Sequence, residues 1–265
     1  MFIKLILFCI GAIIGSFLNV VIYRLPRHES LLFPDSHCPQ CGEKIDWFDN
    51  IPILSFFILG RKCRHCKLPI PARYPIVEIL SAVLLVIIYH VYGFSYEFLL
   101  YVTLSALLLT VTFTDLEKRE IPNTVILIGA IAGLCMSLIF WPVCVPPSWT
   151  GCPLNFINSL IAFLAGGGIM IFWTVIGKLL FKKEGIGAGD IKLVAMTSIF
   201  LGLQNTLMAL FLSFLLATIV GISMILIKKA RMDSSIPFAP FLASGALISL
   251  MCGSQVFSWY FNIMR

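Results

Sequence analysis

The sequence predicts an all-α polytopic membrane protein with about eight transmembrane helices. Of its 265 residues, 59% are hydrophobic and only 12% are charged, which is outside the usual range of soluble domains. The apolar residues also gather in runs near the roughly 20 residues that a membrane helix needs. These runs cover residues 2–22, 75–92, 98–113, 121–141, 156–177, 191–204, 206–227 and 236–263.

The first run is interpreted as a retained helix. It has no cationic start beyond Lys4 and no small-residue cleavage site, both of which a signal peptide would have. Gly11 and Gly15 form a small-xxx-small face, which either lets another helix approach closely or reflects the ordinary glycine content of membrane helices.

The sixth and seventh runs are nearly continuous. The sixth is short, and only the region from Gly202 to Asn205 separates it from the seventh as a turn. Six or seven crossings therefore remain alternatives to eight.

The basic residues predict the orientation, because short cytoplasmic loops carry an excess of Lys and Arg. With eight crossings, all of the 19 basic residues except Lys4 and Arg265 fall on one side. This places both termini outside and the long loop after the first helix in the cytoplasm. The net charge of +6 is then a topological signal, and no nucleic-acid partner is expected.

We expect three parts: a first transmembrane helix (1–22), a cytoplasmic domain (23–74) and a larger transmembrane domain (75–265). The cytoplasmic domain contains CPQC at 38–41 and CRHC at 63–66. Two CxxC pairs at this spacing are typical of a four-thiolate zinc site, with Cys38, Cys41, Cys63 and Cys66 as ligands. A closed four-sulfur shell leaves no open position, so the zinc would be structural.

Two disulfides are the alternative for these cysteines, and a reducing cytoplasm argues against them. His37 and His65 lie beside the ligands and are not expected to bind. Cys9, Cys135 and Cys252 lie in apolar runs and are expected to be small buried residues. Cys144 and Cys152 fall in an outer loop, where a disulfide is as plausible as two free thiols.

Two aspartates lie at the predicted cytoplasmic membrane edge: Asp115 at the end of the third helix and Asp190 at the start of the sixth. Ionisable groups at this depth are costly and usually face a polar cavity or a partner. Two carboxyl groups that share a proton provide an acid and a base, which can activate water against a peptide carbonyl. Taken singly, Asp190 is also explained as a helix N-cap and Asp115 as the start of a turn.

The segment before Asp190 has glycines at 185, 187 and 189. Without side chains there, the backbone can approach an extended substrate closely. The sequence thus predicts that these glycines make room beside an acid-base pair.

The combined motifs resemble the type IV prepilin peptidases, bacterial membrane enzymes of the GxGD aspartyl protease group. The matching pieces occur in the family's order and span most of the chain. They are GSFLNVVIYRLP at 15–26, CPQC, DNIPILS at 49–55, CRHC, RYPIVE at 73–78, TDLEKREIPN at 114–123 and GAGDIKL at 187–193.

The resemblance implies a bifunctional enzyme of the bacterial inner membrane. It would remove the basic leader from type IV prepilins and type II secretion pseudopilins at the cytoplasmic face, cutting after glycine. It would then methylate the new N-terminal amine with S-adenosylmethionine. The family's catalytic aspartates correspond to Asp115 and Asp190, and its tetracysteine element corresponds to the four predicted zinc ligands.

The roles of the other acidic residues are less definite from the sequence. Glu117, Glu120 and Glu184 either attract the basic leader or are solvated loop charges. The methyl-transfer site has no Gly-rich Rossmann fingerprint, and the DNIPILS and RYPIVE loop is the place to look for it. Glu78 either has a buried polar role there or pairs with Arg73 or Lys192.

Two other classes are weighed against the peptidase. A transporter would use membrane-edge aspartates for ions or protons, but the sequence has no internal repeat and both aspartates lie at the edge. A membrane scaffold that docks partners through a zinc loop would not explain the aspartates. The substrate's identity, the oligomeric state and the Asp115–Asp190 distance are not predicted.

Overall fold

The structure, a computed structural model, describes residues 2–33, 35–139, 156–181, 187–227 and 237–263. Within these ranges the protein is helical and has no strands, only two isolated β-bridges. The chain divides into two compact units, residues 1–110 and 111–265. The helices are α1 (Phe2–Arg24), α2 (Leu54–Ile58), α3 (Arg73–Tyr92), α4 (Tyr96–Lys118), α5 (Asn123–Ile139), α6 (Phe156–Phe181), α7 (Ala188–Leu226) and α8 (Ala239–Ile263).

The membrane character predicted from composition is confirmed. Among the described helices, α1, α3, α4, α6 and α7 are long and apolar enough to cross a bilayer, while α5 and the described apolar part of α8 are shorter. Many large apolar side chains on these helices are exposed, as expected for surfaces that face lipid. The protein is therefore an all-α polytopic membrane protein.

In the first unit, α1 packs on α3 through its two glycines. A Cβ atom at Gly11 would lie 2.6 Å from Ala82 Cα, and one at Gly15 would lie 2.6 Å from Glu78 Cα. No side chain fits at those distances, so the backbones touch directly. Of the two explanations for these glycines, the structure supports close helix approach.

The second unit is built around the first part of α7. Every residue from Leu193 to Leu201 is buried, and α5, α6 and α8 all pack against α7. A helix that is apolar and buried on all sides forms the centre of its unit. The N-terminal turn of α7, which carries Asp190, is thereby held in a fixed position.

Helix α7 is broken at Gly202, in the stretch where the sequence predicts a turn. Gly202 has φ 72° and ψ 167°, a backbone conformation that glycine adopts readily. Polar side chains satisfy carbonyl groups at the break: Asn205 Nδ2 donates to Leu201 O at 3.2 Å, and Ser249 Oγ donates to Asn205 O at 2.9 Å. An unbroken helix of this length would measure about 58 Å, roughly twice the apolar thickness of a bilayer.

Two expectations about cysteines turn out differently. Cys9 and Cys135 are exposed on their helices, so the expectation of buried side chains is wrong for both. A membrane helix presents apolar residues to lipid as well as to its neighbours, and the sequence does not distinguish the two faces. The Cys252 side chain, the Cys144–Cys152 pair, Glu184 and Gly185 lie outside the described residues.

Candidate functional site

The four loop cysteines meet at one point in the first unit. The sulfur atoms of Cys38, Cys41, Cys63 and Cys66 all lie within 4.8 Å of one another, and those of Cys38 and Cys66 are 4.0 Å apart. A tetrahedral zinc ion with bonds of about 2.3 Å would hold its sulfurs about 3.8 Å apart. All four thiols are free, so the disulfide alternative is not what the structure adopts. The residues present fit a four-thiolate zinc site.

Two turns of the same design build this cluster. In the first turn, Cys38 N–H donates to Glu43 O at 2.9 Å and Gly42 N–H donates to Cys38 O at 2.8 Å. In the second turn, Cys63 N–H donates to Leu68 O at 2.9 Å and Lys67 N–H donates to Cys63 O at 3.1 Å. A β-bridge closes each turn. The CxxC spacing therefore determines the site locally, through short backbone hydrogen bonds.

The equivalent positions Gly42 and Lys67 both have positive φ, 73° and 60° respectively. Glycine adopts this conformation without strain, whereas a lysine pays a steric penalty there. The two halves of the cysteine cluster thus have the same geometry, but the second half carries more conformational strain.

Electrostatics favour metal binding at the second turn. The backbone N–H groups of Cys66 and His65 lower the pKa of the Cys63 thiol to about 7. The thiolate is the form that binds metal. His37, by contrast, has its Nδ1 3.0 Å from Asp35 O, and the metal-binding group in the described chain consists of the four cysteines without a histidine.

An ion pair joins the second CxxC turn of the cysteine cluster to the DNIPILS segment. Arg64 donates to both carboxylate oxygens of Asp49, each at 2.6 Å. The Arg64 guanidinium accordingly lowers the pKa of Asp49 below its usual value. Such two-pronged pairs fix orientation as well as charge, so this contact positions the segment that follows Asp49.

That segment contains a strained turn at Ile53. Its φ is 65° and its ψ is −53°, and Leu54 N–H donates to Pro52 O at 2.6 Å across it. This is a γ-turn with positive φ, which is rare and costly for a β-branched residue. The Ile53 N–H donates to Glu78 Oε2 at 2.7 Å, so a buried carboxylate from α3 holds the turn.

The structure thereby identifies the partners of Glu78. Besides Ile53, Ser16 of α1 interacts with the Glu78 carboxylate. Lys192, one of the two partners considered from the sequence, donates instead to Asn123 Oδ1 at 2.9 Å. Of the two interpretations of Glu78, the buried polar role is the one that its contacts support.

In the second unit, Asp115 is buried near the end of α4, with 7% of its surface exposed. Its Oδ2 accepts a hydrogen bond of 3.2 Å from the backbone N–H of Ala239, the first residue of α8. The N-terminus of a helix carries partial positive charge. The α8 terminus therefore favours a negative charge on Asp115.

Asp190 lies in the first turn of α7 and is half-buried. The N-cap of α7 is Gly187 and not Asp190; the aspartate is three residues further on, where its Oδ2 accepts the Gly187 N–H at 3.3 Å. The alternative interpretation of Asp190 as a helix cap is correct in part, because its carboxylate does accept a hydrogen bond from a backbone N–H at the start of the helix. In the described chain, neither Asp190 Oδ1 nor Asp115 Oδ1 accepts a hydrogen bond.

Packing between the start of α7 and the connection after α4 brings the two aspartates near each other. A Cβ at Gly189 would be 3.2 Å from two atoms of Ile121, so Gly189 gives room to that side chain. The charge of Asp115 also acts on Asp190. The two predicted carboxylates are thus near enough for the charge of one to act on the other, and Gly189 has a packing role that the sequence did not predict.

Two polar groups near these sites were not singled out from the sequence. Asn19, in the GSFLNVV segment, has a fully buried Oδ1 without a hydrogen-bond partner among the described residues. An asparagine within an apolar helix is a signal that could have been used. The Ala239 N–H, in contrast, leaves no trace in the sequence because every residue except proline has one.

The fold and the sites define a class: a multi-pass helical membrane protein with a thiol cluster suited to zinc and two neighbouring carboxylates suited to acid-base chemistry. Comparisons with known proteins identify the family within this class. The bacterial peptidase A24 N-terminal domain matches residues 9–92, and the type IV leader peptidase family matches residues 102–222. No solved structure matches the chain.

Curated proteins named prepilin leader peptidase/N-methyltransferase align with nearly the whole chain. The protein from Pseudomonas putida is 32% identical over 273 residues, covering 94% of this chain and 90% of its own. The protein from Aeromonas salmonicida (strain A449) is 34% identical over 284 residues, with coverages of 97% and 93%. That from Pseudomonas aeruginosa is 31% identical over 281 residues, with coverages of 95% and 91%.

The chain therefore belongs to the type IV leader peptidase family. It is a multi-pass peptidase of the bacterial inner membrane. The resemblance stated from the motifs is confirmed.

Proposed function

We propose that this protein removes the basic leader from type IV prepilins and type II secretion pseudopilins, cutting after glycine, and then methylates the new N-terminal amine. The names of its relatives support this substrate class. The observation that supports the proposal is the electrostatic interaction between Asp115 and Asp190. Each has one oxygen held by a backbone N–H and the other free of hydrogen bonds within the described chain.

In the proposed cleavage, one carboxyl group is ionised and the other is protonated. The carboxylate takes a proton from water as the water oxygen attacks the carbonyl carbon of the scissile glycine. The carboxylic acid donates its proton to the departing nitrogen as the C–N bond breaks. The products are a leader with a C-terminal carboxylate and a pilin with a free N-terminal amine.

In the proposed second reaction, S-adenosylmethionine is the methyl donor. A C–S bond breaks and an N–C bond forms on the pilin amine, which loses a proton, and S-adenosylhomocysteine is released. The zinc ion would be structural, held by Cys38, Cys41, Cys63 and Cys66. Its role would be to fold the segment that positions Asp49 and Ile53.

We infer that both reactions occur at the cytoplasmic face and that both termini lie outside. The concentration of Lys and Arg in alternate loops supports this orientation. We retain the division into an anchor helix (1–22), a zinc domain (23–74) and a peptidase domain (75–265) as part of the proposal. A substrate with an apolar helix in the bilayer and a basic leader in the cytoplasm would meet the aspartates at the membrane edge.

The test is an assay of purified protein in lipid with a prepilin and labelled S-adenosylmethionine. General acid-base catalysis contributes about 10²–10⁴-fold, so Asp115→Asn and Asp190→Asn should each reduce leader cleavage by about that factor or more. Both variants should still methylate a pilin that has already been cut. Asp46→Asn is the matched control, because this exposed loop aspartate should be dispensable.

Near-normal cleavage by either active-site variant would contradict the carboxylate pair and return that residue to a capping role. Loss of methyl transfer together with cleavage would instead show that the two reactions share one site.

A further inference from the structure

A cavity of about 190 Å³ lies within the first unit, between α1, α3 and the cysteine-containing segment. Its wall includes Ser16, Asn19 and Tyr23 from α1, and Tyr74 and Glu78 from α3. The peptidase reaction proposed for the second unit uses none of these side chains. The cavity therefore needs an explanation of its own.

Glu78 supplies a buried carboxylate to this cavity, with only 7% of its surface exposed. Its Oε2 accepts the Ile53 N–H at 2.7 Å, and Ser16 also interacts with the carboxylate. An ionised carboxylate can accept about four hydrogen bonds. Glu78 therefore keeps acceptor capacity for a ligand after both protein contacts are made.

Asn19 supplies a second acceptor. It is 2% exposed, and its Nδ2 donates to Tyr74 O at 3.0 Å, which fixes the orientation of the amide. Its Oδ1 is buried and accepts no hydrogen bond from the described residues. Buried polar atoms without partners are rare in proteins, and a ligand in the cavity would supply the missing donor.

The packing of α1 on α3 places the two acceptors close together. Gly15 lies against Glu78, while Asn19, one helical turn later, lies against Tyr74, one turn before Glu78. One negative charge and one neutral acceptor on adjacent turns match a primary ammonium group, which is positively charged and has three N–H donors.

We propose that Glu78 and Asn19 form a binding site for a primary ammonium group within this cavity. The proposal rests on the methyl-transfer part of the proposed function, where two reactants have such a group. One is the N-terminal amine of the cut pilin, which is the methyl acceptor. The other is the amino group of S-adenosylmethionine, the methyl donor.

The test measures methyl transfer to a pre-cut pilin by wild type and by Glu78→Gln. Glutamine keeps an oxygen that can accept the Ile53 N–H but removes the negative charge. A hydrogen bond to a charged group contributes enough that its loss should raise the KM of the ammonium-bearing reactant about tenfold or more. Glu29→Gln, the same change on an exposed loop residue, is the control and should leave both KM values unchanged.

The KM that changes shows which of the two reactants places its ammonium group in the site. A rise for the pre-cut pilin alone assigns the site to the pilin amine, and a rise for S-adenosylmethionine alone assigns it to the donor. Unchanged KM values for both reactants in Glu78→Gln, with zinc content as in wild type, would overturn the proposal.

Asn19→Leu distinguishes binding from a structural role. If Oδ1 receives the ammonium group, this variant should raise the same KM as Glu78→Gln, by about fivefold, a typical effect of losing one neutral acceptor. If it instead raises the melting temperature without changing either KM, Asn19 has no part in binding and the proposed pair is wrong.

Direct binding separates this inference from the proposed function. The probes are S-adenosylhomocysteine and a peptide with the N-terminal sequence of a cut pilin, each titrated into the full-length protein by calorimetry. Binding that weakens in Glu78→Gln would support the ammonium site even if wild type transferred no methyl group. Binding of neither probe to wild type would overturn it while leaving leader cleavage untouched.

Discussion

The cysteine cluster and the aspartate centre are built in opposite ways. Each half of the cluster is a turn of a few residues with its own backbone hydrogen bonds, so the local sequence determines its shape. The aspartate centre joins Asp115 of α4 and Asp190 of α7, with a backbone donor from α8, and it exists only when these helices are packed. Local geometry supports metal binding, whereas tertiary packing supports the carboxylate pair.

The largest expected effect is on the cysteine cluster and should not extend to the aspartates. Replacing Cys38 and Cys41 by Ser should reduce bound zinc from about one per protein to near zero and disorder the loop, because structural zinc contributes on the order of 10 kcal/mol to folding. Metal analysis and limited proteolysis of the loop would measure this.

Cys135→Ser is the control for the loss of a thiol, because Cys135 is exposed on α5 and distant in sequence from the loop. Asp190→Asn should also keep its zinc. Unchanged metal content after the double replacement would show that the cluster is not the zinc site.

A second change tests whether packing holds the aspartate centre. Gly189→Val would place a side chain against Ile121, where even a Cβ is at 3.2 Å, and overpacking of this kind costs about 1–3 kcal/mol. Leader cleavage should fall about tenfold or more because Asp190, the next residue, is displaced, whereas zinc content should not change.

Adding Ile121→Ala to Gly189→Val should restore part of the cleavage activity by making room. The single variant Ile121→Ala completes the double-mutant cycle. Additive effects of the two changes would mean that the contact does not position Asp190.

The smallest expected effect lies within the cysteine cluster, where Gly42 and Lys67 occupy equivalent positive-φ positions. Gly42→Ala should weaken zinc binding, and Lys67→Gly should strengthen it, each by about 0.5–1 kcal/mol, because only glycine adopts this conformation without strain. Competition with a chelator would then show shifts of about two- to fivefold in opposite directions. Shifts in the same direction would indicate that the two turns are not equivalent.

The sequence predicts the four-cysteine cluster almost completely, because the CxxC spacing itself sets the geometry. It also predicts Asp115 and Asp190 as the catalytic pair, through motifs in TDLEKREIPN and GAGD, and this stays a prediction. It does not predict that Gly187 caps α7 while Asp190 lies within the first turn, since either residue type is acceptable at an N-cap. That assignment depends on where the backbone becomes helical.

The sequence also does not predict features that depend on which elements pack against each other. The sequence offers a buried polar role for Glu78, but its contact with the strained turn at Ile53 depends on the packing of α3 against the loop. The exposure of Cys9 and Cys135 depends on which helix face is left uncovered. The break at Gly202 was predictable because a continuous helix would be far longer than the bilayer is thick.

The hydrogen bond from Ala239 to Asp115 has a consequence for mutagenesis. The donor is a main-chain group that almost every substitution preserves, but Ala239 is only 1% exposed, so a side chain larger than alanine there would disturb packing and leave the donor in place. Only proline removes it, and proline suits the first position of a helix. Ala239→Pro would therefore delete the donor to Asp115, whereas Ala239→Ser, a small change at the same buried position, would keep it, so that comparing the two isolates the contribution of one main-chain hydrogen bond.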